Sequence, residues 1–193
     1  MAHKVTDDGG GVRWDVDEYL RKRAEEEAQR KATSFVTRTD GSERIATLRR
    51  EMAKSMEDGC GIYRMQDTMQ ATCDKLAELK DRYQRVQVDD HSKGWNTDWL
   101  LAIELGYLLD VAQAMAHSAI NRKESRGSHQ RLDGYEQRDD VNFLKHSLAH
   151  YAGQDAPRID YGPVKITSSQ PGTRAYGAAG EEADRKAKEM AHA

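Results

Sequence analysis

Cysteine and proline are both scarce in this chain of 193 residues. Its two cysteines, Cys60 and Cys73, cannot form the disulfide framework of a small secreted domain, so a reducing compartment is expected. Their separation also excludes a paired-thiolate zinc site, and buried, unreactive thiols are predicted. All three prolines follow residue 156, so the preceding chain is free to form long helices.

The chain also lacks a large excess of charge of one sign, and it lacks long apolar runs. Lys and Arg number 30 and Asp and Glu number 33, which gives a net charge of −3 and disfavours a nucleic-acid-binding protein. No run of about 18 uncharged apolar residues is present, so no membrane-spanning helix is predicted. The first residues also lack the apolar run of a signal peptide, which makes the cytoplasm the expected location.

Motifs for cofactor and metal chemistry are also missing from the sequence. The glycines at 9–11 are followed by Trp14, where a dinucleotide fingerprint would require a third glycine. His146 and His150 are four residues apart, but Ser147 stands where a zincin helix carries Glu. We therefore predict no catalytic, cofactor-binding or metal-ligating residue.

Apolar spacing predicts four helices before residue 121. The first has a narrow apolar face and is expected to be mostly solvated. The second and third have apolar stripes at spacings of three and four residues, which are typical of core-facing helices. The fourth is apolar almost all round, so it is expected to be surrounded by the others. The two stripes consist of Ile45, Leu48, Met52 and Met56, and of Met69, Cys73, Leu76, Leu79, Tyr83 and Val86.

Polar and glycine residues predict where these helices end. Gly59 suits a left-handed exit from the second helix, and Asn96 suits the N-cap of the fourth. Residues 143–151 and 158–166 are interpreted as a β-hairpin, although the first of these segments also fits a short helix. The predicted organisation is a flexible lead-in (1–13), a helical bundle (14–140), a small β segment (141–167) and a flexible tail (168–193).

The segment 121–140 has an unusual composition, because ten of its twenty residues are Asp, Glu, Lys or Arg. Arg side chains match carboxylates bidentately, so such a segment can form an ordered ion-pair network that serves as a docking surface. It can equally be a solvated loop whose ion pairs contribute little. Composition alone does not choose between these alternatives.

Several stretches of the sequence resemble one protein family. The most specific is the run Arg-Lys-Glu-Ser-Arg-Gly at residues 122–127; others lie at 48–52, 56–64, 96–100, 116–119 and 136–146. They resemble the helical C-terminal domain of fumarate reductase and succinate dehydrogenase flavoprotein subunits, and bacterial quinol–fumarate reductase most closely. The resemblance covers residues 42–167 well and the flanking residues loosely.

The resemblance implies an all-α fold: a three-helix, spectrin-like bundle with a surrounded central helix, followed by a short β-hairpin and a flexible tail. In that family, FAD and the catalytic residues belong to the part of the flavoprotein that precedes this domain. No cofactor is therefore expected on this chain, and FAD is expected in the parent subunit. The implied partners are the FAD-binding domain and the iron–sulfur subunit, with membrane anchor subunits contacted only indirectly.

The resemblance also suggests a function and a site. The implied function is support of the FAD domain in a complex that converts fumarate and quinol to succinate and quinone on the inner face of the cytoplasmic membrane. We expect an ordered network at the seam between the two domains, and the alternative is a free-standing helical interaction or assembly protein. The residues of the expected network are Arg122, Glu124, Arg126, His129 and Arg131.

Overall fold

A computed structural model of the protein describes residues 4–6, 12–14, 16–92 and 94–167. The helices within these residues are α1 (Val16–Thr37), α2 (Ile45–Cys60), α3 (Gln66–Tyr83), α4 (Thr97–Asn121) and the short α5 (Asp140–Phe143). The strands are β1 (Lys4–Thr6), β2 (Val12–Trp14), β3 (Tyr63–Arg64), β4 (Gln130–Arg131), β5 (Lys145–His150) and β6 (Arg158–Pro163).

The strands form three separate two-stranded sheets. β1 pairs with β2 antiparallel, β3 pairs with β4 parallel, and β5 pairs with β6. The pairing of β5 with β6 confirms the predicted hairpin, whereas the β1–β2 ladder was not predicted. The chain divides into residues 1–162 and 163–193, and of the second unit only 163–167 are described. The flexible lead-in and the domain limits stay predictions, and the predicted tail (168–193) lies outside the described residues.

The core lies where α2, α3 and α4 meet. Both predicted stripes point into it: Leu48, Met69, Leu76 and Leu79 have no exposed surface. The solvated character of α1 is confirmed, since its residues 20–30 are exposed while Phe35 near its end is buried against the ring of Tyr83. The helical bundle with a following hairpin agrees with the predicted fold class.

Two helix ends show how far local sequence determines the structure. The Asn96 side chain accepts a hydrogen bond from the Trp99 backbone N–H at 2.7 Å, which confirms the predicted cap. The predicted left-handed exit at Gly59 is wrong, because Gly59 lies inside α2. A Cβ at this position would lie 2.1 Å from Thr72 Oγ1 and 2.5 Å from the Thr68 carbonyl. Glycine is therefore required for the close approach of α2 to α3.

The expectation that α4 is surrounded is wrong for one side of the helix. Ala102, Leu105, Leu109 and Ala112 face the core and are almost fully buried. The opposite side, which we name the outer face, is largely apolar but exposed, because the described elements cover only the core side; the exposed Glu104 also lies on it. The outer face consists of Leu100, Leu101, Tyr107, Leu108, Val111 and Met115.

By length and composition alone, α4 could also cross a bilayer. The core helix of a water-soluble bundle has the same apolar composition, and α4 packs on α2 and α3 through its buried side. The apolar length of α4 therefore fits a core helix, in line with the sequence prediction of no membrane-spanning helix.

Candidate functional site: a buried charge network

Glu124 is the centre of a charge network that follows the end of α4. Its side chain has no exposed surface, and it accepts hydrogen bonds from Arg122, from Arg126 (2.8 and 2.9 Å) and from the Asp139 backbone N–H (2.9 Å). Burial opposes the charged form, but the bonds from Arg126, Asp139 and Arg122 outweigh it, so the pKa of Glu124 is lowered. The buried carboxylate therefore stays ionised and holds its donors together.

Arg126 and Asp140 form the more accessible edge of the network. An Arg126 guanidinium nitrogen lies 2.6 Å from Asp140 Oδ1, and Arg138 lies 2.8 Å from the other oxygen of the same carboxylate. The side chains of Arg126 and Asp140 are 27% and 37% exposed. Asp139 next to them caps α5 by accepting the backbone N–H groups of Val141 and Asn142. The edge thus links the segment after α4 to α5.

Arg131 is fully buried and connects three parts of the chain. It binds both carboxylate oxygens of Asp133, at 2.8 and 2.6 Å, and donates to the carbonyls of Ile120 and Arg122 and to the Gln66 side chain. Asp133 in turn accepts the Gln66 backbone N–H at 2.7 Å. The N-terminus of α3 is therefore satisfied by a carboxylate from a distant segment.

His129 lies between two arginines. Its Nδ1 is 2.8 Å from a guanidinium nitrogen of Arg64, and its Nε2 is 3.1 Å from the Arg122 carbonyl. Since the guanidinium can only donate, Nδ1 accepts and Nε2–H donates to the carbonyl, which assigns a neutral imidazole. Burial, together with the charges of Arg64, Arg131 and Arg122, outweighs the carbonyl bond and lowers the pKa of His129.

All five residues of the expected network come together in the structure: Arg122, Glu124, Arg126, His129 and Arg131. Of these, Glu124, His129 and Arg131 are buried by this chain itself, so their burial does not require a second domain. Its position at a seam between domains stays a prediction. Sequence reasoning missed Arg64 as a member, although Arg64 ends one of the stretches that carry the family resemblance.

Outside the network, the remaining candidate residues show no metal chemistry. Cys60 and Cys73 are buried free thiols, as predicted, and burial raises the pKa of both, that of Cys73 to about 11. His146 and His150 are exposed on β5. Across residues 16–92 and 94–167, no three His, Cys, Asp or Glu side chains lie close enough to hold a metal ion.

Comparison with known proteins decides the family. A family model described as fumarate reductase flavoprotein C-term matches residues 49–176. The chain belongs to this C-terminal domain family. The Haemophilus influenzae fumarate reductase flavoprotein subunit is 60% identical to it over 155 residues, which cover 79% of this chain and 26% of that protein. The Serratia subunit is 58% identical over 154 residues, with the same coverage of both.

A solved structure of E. coli quinol fumarate reductase shares the fold of this C-terminal domain. Its TM-score is 0.72 at 50% identity, and the match covers 78% of this chain and 26% of that chain. The chain thus spans about a quarter of the length of the relatives that it matches. The predicted resemblance is confirmed.

The neutral state of His129 predicts a pH effect on stability. The unfolded chain binds a proton at His129 near pH 6.5, whereas the lowered pKa keeps the folded form neutral there. The unfolded state therefore binds more protons, and the stability present above about pH 6.5 is lost as the pH falls, by at most about 1.4 kcal/mol per pH unit. Chemical denaturation between about pH 7 and 5.5 measures this slope. This pH range lies above the one in which carboxylates titrate, so they contribute little to it.

The matched variants are His129→Gln and His117→Gln. His129→Gln should flatten the slope, because a neutral amide replaces the titrating ring. His117 is half-buried and also has a lowered pKa, caused by burial, so His117→Gln should leave the contribution of His129 in place. An unchanged slope in His129→Gln would contradict the assignment.

Proposed function

We propose that this chain is the helical C-terminal domain of the flavoprotein subunit of a quinol–fumarate reductase, and that it supports the FAD-binding domain through the outer face of α4. The parent complex reduces fumarate to succinate with electrons from quinol. The FAD-binding domain and the iron–sulfur subunit are the proposed neighbours, membrane anchor subunits are contacted indirectly, and the complex lies on the inner face of the cytoplasmic membrane.

The outer face of α4 is the observation that carries this proposal. Its six apolar residues recur at helical spacing on one side of α4, around the exposed Glu104, so they form one largely apolar surface instead of scattered exposed positions. A continuous exposed apolar surface marks an interaction site in a soluble protein. The chain covers only about a quarter of its relatives' length, so most of the relatives' polypeptide is available to cover this surface.

The proposal assigns the redox chemistry to the rest of the flavoprotein. The described residues include no cluster that could hold a metal ion, and the network around Glu124 is occupied by contacts within the chain. FAD and the catalytic residues are proposed to lie in the part of the flavoprotein that this chain does not cover, since the chain spans about a quarter of its relatives' length. The more accessible edge of the network, at Arg126 and Asp140, is the part proposed to face the seam. A free-standing assembly protein is not favoured, because the relatives compared are flavoprotein subunits.

A chimeric flavoprotein tests the proposal. The C-terminal part of the Haemophilus influenzae subunit is replaced by this chain, and FAD retention and fumarate reduction are measured. Val111→Glu places a carboxylate on the outer face, where Val111 is 56% exposed. We expect a loss of at least about tenfold in both properties, because burying an unpaired charge at an apolar interface costs more than about 1.4 kcal/mol.

Leu20→Glu is the matched control, since Leu20 is 57% exposed but lies on α1. It should leave FAD retention and activity within about twofold of the parent chimera, as expected for a surface substitution. Equal losses in both variants, or full activity in Val111→Glu, would reject the outer face as the docking surface.

A further inference from the structure

Arg64 is a half-buried cation without a carboxylate partner among the described residues. Its guanidinium makes hydrogen bonds to the Gly61 carbonyl (2.6 Å), the Cys60 carbonyl (2.9 Å) and the neutral His129 ring (2.8 Å). A guanidinium has five N–H donors, so two remain. Removing a charge from water is costly unless an opposite charge compensates for it. Burial lowers the pKa of Arg64, in keeping with this lack of compensation.

A small pocket of about 220 Å³ opens beside this guanidinium. The charged groups that line it are Arg64 and Arg122, and among the described residues no carboxylate joins them. Arg122 pairs with the Glu124 carboxylate, which Arg126 shares, whereas Arg64 has no carboxylate partner among the described residues. Ser118 from α4 and Ser147 from β5 add hydroxyl groups to the lining.

The geometry points to a carboxylate-binding pocket between Arg64, His129 and the two serines. A carboxylate is planar, and an arginine fork can hold both of its oxygens. It would supply the missing counter-charge, while the serine hydroxyls can donate to its free lone pairs. This site goes beyond the proposed support of the FAD-binding domain. Met115 of the outer face also lines the pocket, so the site borders the proposed docking surface, but binding of a small carboxylate to this chain alone does not depend on that docking.

Titration of the whole 193-residue chain with sodium succinate and sodium acetate tests the pocket. Binding is followed by calorimetry and by the NMR shift of the His129 ring, with NaCl at equal ionic strength and neutral succinamide as reference solutes. We expect saturable binding of a carboxylate and an upward shift of the His129 pKa, because an anion next to the imidazole favours its charged form. Succinamide should neither bind nor shift the His129 pKa. NaCl should cause only the small change that ionic strength produces, without saturation.

Three variants connect the binding to this pocket. Arg64→Gln should raise the Kd at least about tenfold, as expected for the loss of a charge-assisted hydrogen bond. Ser118→Leu should have the same effect by filling the pocket with Arg64 retained, so the test survives if Arg64→Gln folds poorly. Arg50→Gln removes an equal charge from an exposed position on α2 and should leave the Kd within about twofold.

The two carboxylates distinguish the source of the ligand. Binding of succinate about tenfold tighter than acetate indicates a free dicarboxylate. Equal affinities indicate recognition of a single carboxylate, such as an acidic side chain of a neighbouring domain. The proposal is overturned if neither succinate nor acetate binds saturably above the response to NaCl. It is also overturned if the Kd is unchanged in both Arg64→Gln and Ser118→Leu.

Discussion

Glu124→Gln should lower the free energy of unfolding by about 3–5 kcal/mol, the cost of removing one partner from a buried ion pair. The substitution keeps the shape of the side chain but removes its charge. It leaves Arg122 without its carboxylate and reduces Arg126 to its contact with Asp140. At about 2–4 °C per kcal/mol for a domain of this size, the Tm should fall by roughly ten degrees.

Glu57→Gln is the matched control for this substitution, because Glu57 is exposed on α2. Its effect should stay within about 0.5 kcal/mol, as for ordinary surface positions. Urea denaturation at pH 7 of both variants measures the difference. A loss below about 1 kcal/mol in Glu124→Gln would place the network among exposed, weakly stabilising ion pairs, which is the solvated-loop alternative for residues 121–140.

Arg131→Met should cost a similar amount, about 3–5 kcal/mol, for a different structural reason. The methionine roughly fills the buried volume but donates no hydrogen bond. Asp133 and the carbonyls of Ile120 and Arg122 then lose their shared donor. Because Asp133 also accepts the Gln66 backbone N–H, the damage should extend to the start of α3.

Hydrogen exchange shows where Arg131→Met loosens the structure, at the β3–β4 pair beside the start of α3. The Gln130 and Leu132 amides donate to the carbonyls of Ile62 and Arg64 across the β3–β4 pair. They should lose protection in Arg131→Met while amides in the core of α4 change much less, since local opening exposes only the affected segment. Arg50→Met, on the exposed side of α2, should leave the exchange pattern unchanged. Unaltered protection of Gln130 and Leu132 in Arg131→Met would contradict the connecting role.

The two substitutions should not be additive. Arg131 donates to the Arg122 carbonyl, and the Arg122 guanidinium binds Glu124, so the two residues belong to one connected network. Either substitution loosens Arg122, which both residues contact. The double variant should therefore lose less stability than the sum of the two single losses.

Much of the helical framework could be predicted from the sequence. The stripes through Leu48 and Leu76 and the Asn96 cap depend on residues three or four positions apart, which any helix brings together. The five network residues were also found, but through the family resemblance rather than through spacing. Gly59 was misinterpreted because its requirement comes from Thr68 and Thr72 on another helix, which no local pattern reveals.

The amino-acid order by itself determined the helices, their core stripes and the family, because these depend on short-range periodicity and on a long specific motif. Tertiary structure decided which charges became buried: it placed Arg64 beside His129 and brought Asp133 to the start of α3. It also left the outer face of α4 uncovered. Contacts between distant segments decide these features, since burial depends on what the rest of the fold places around a side chain.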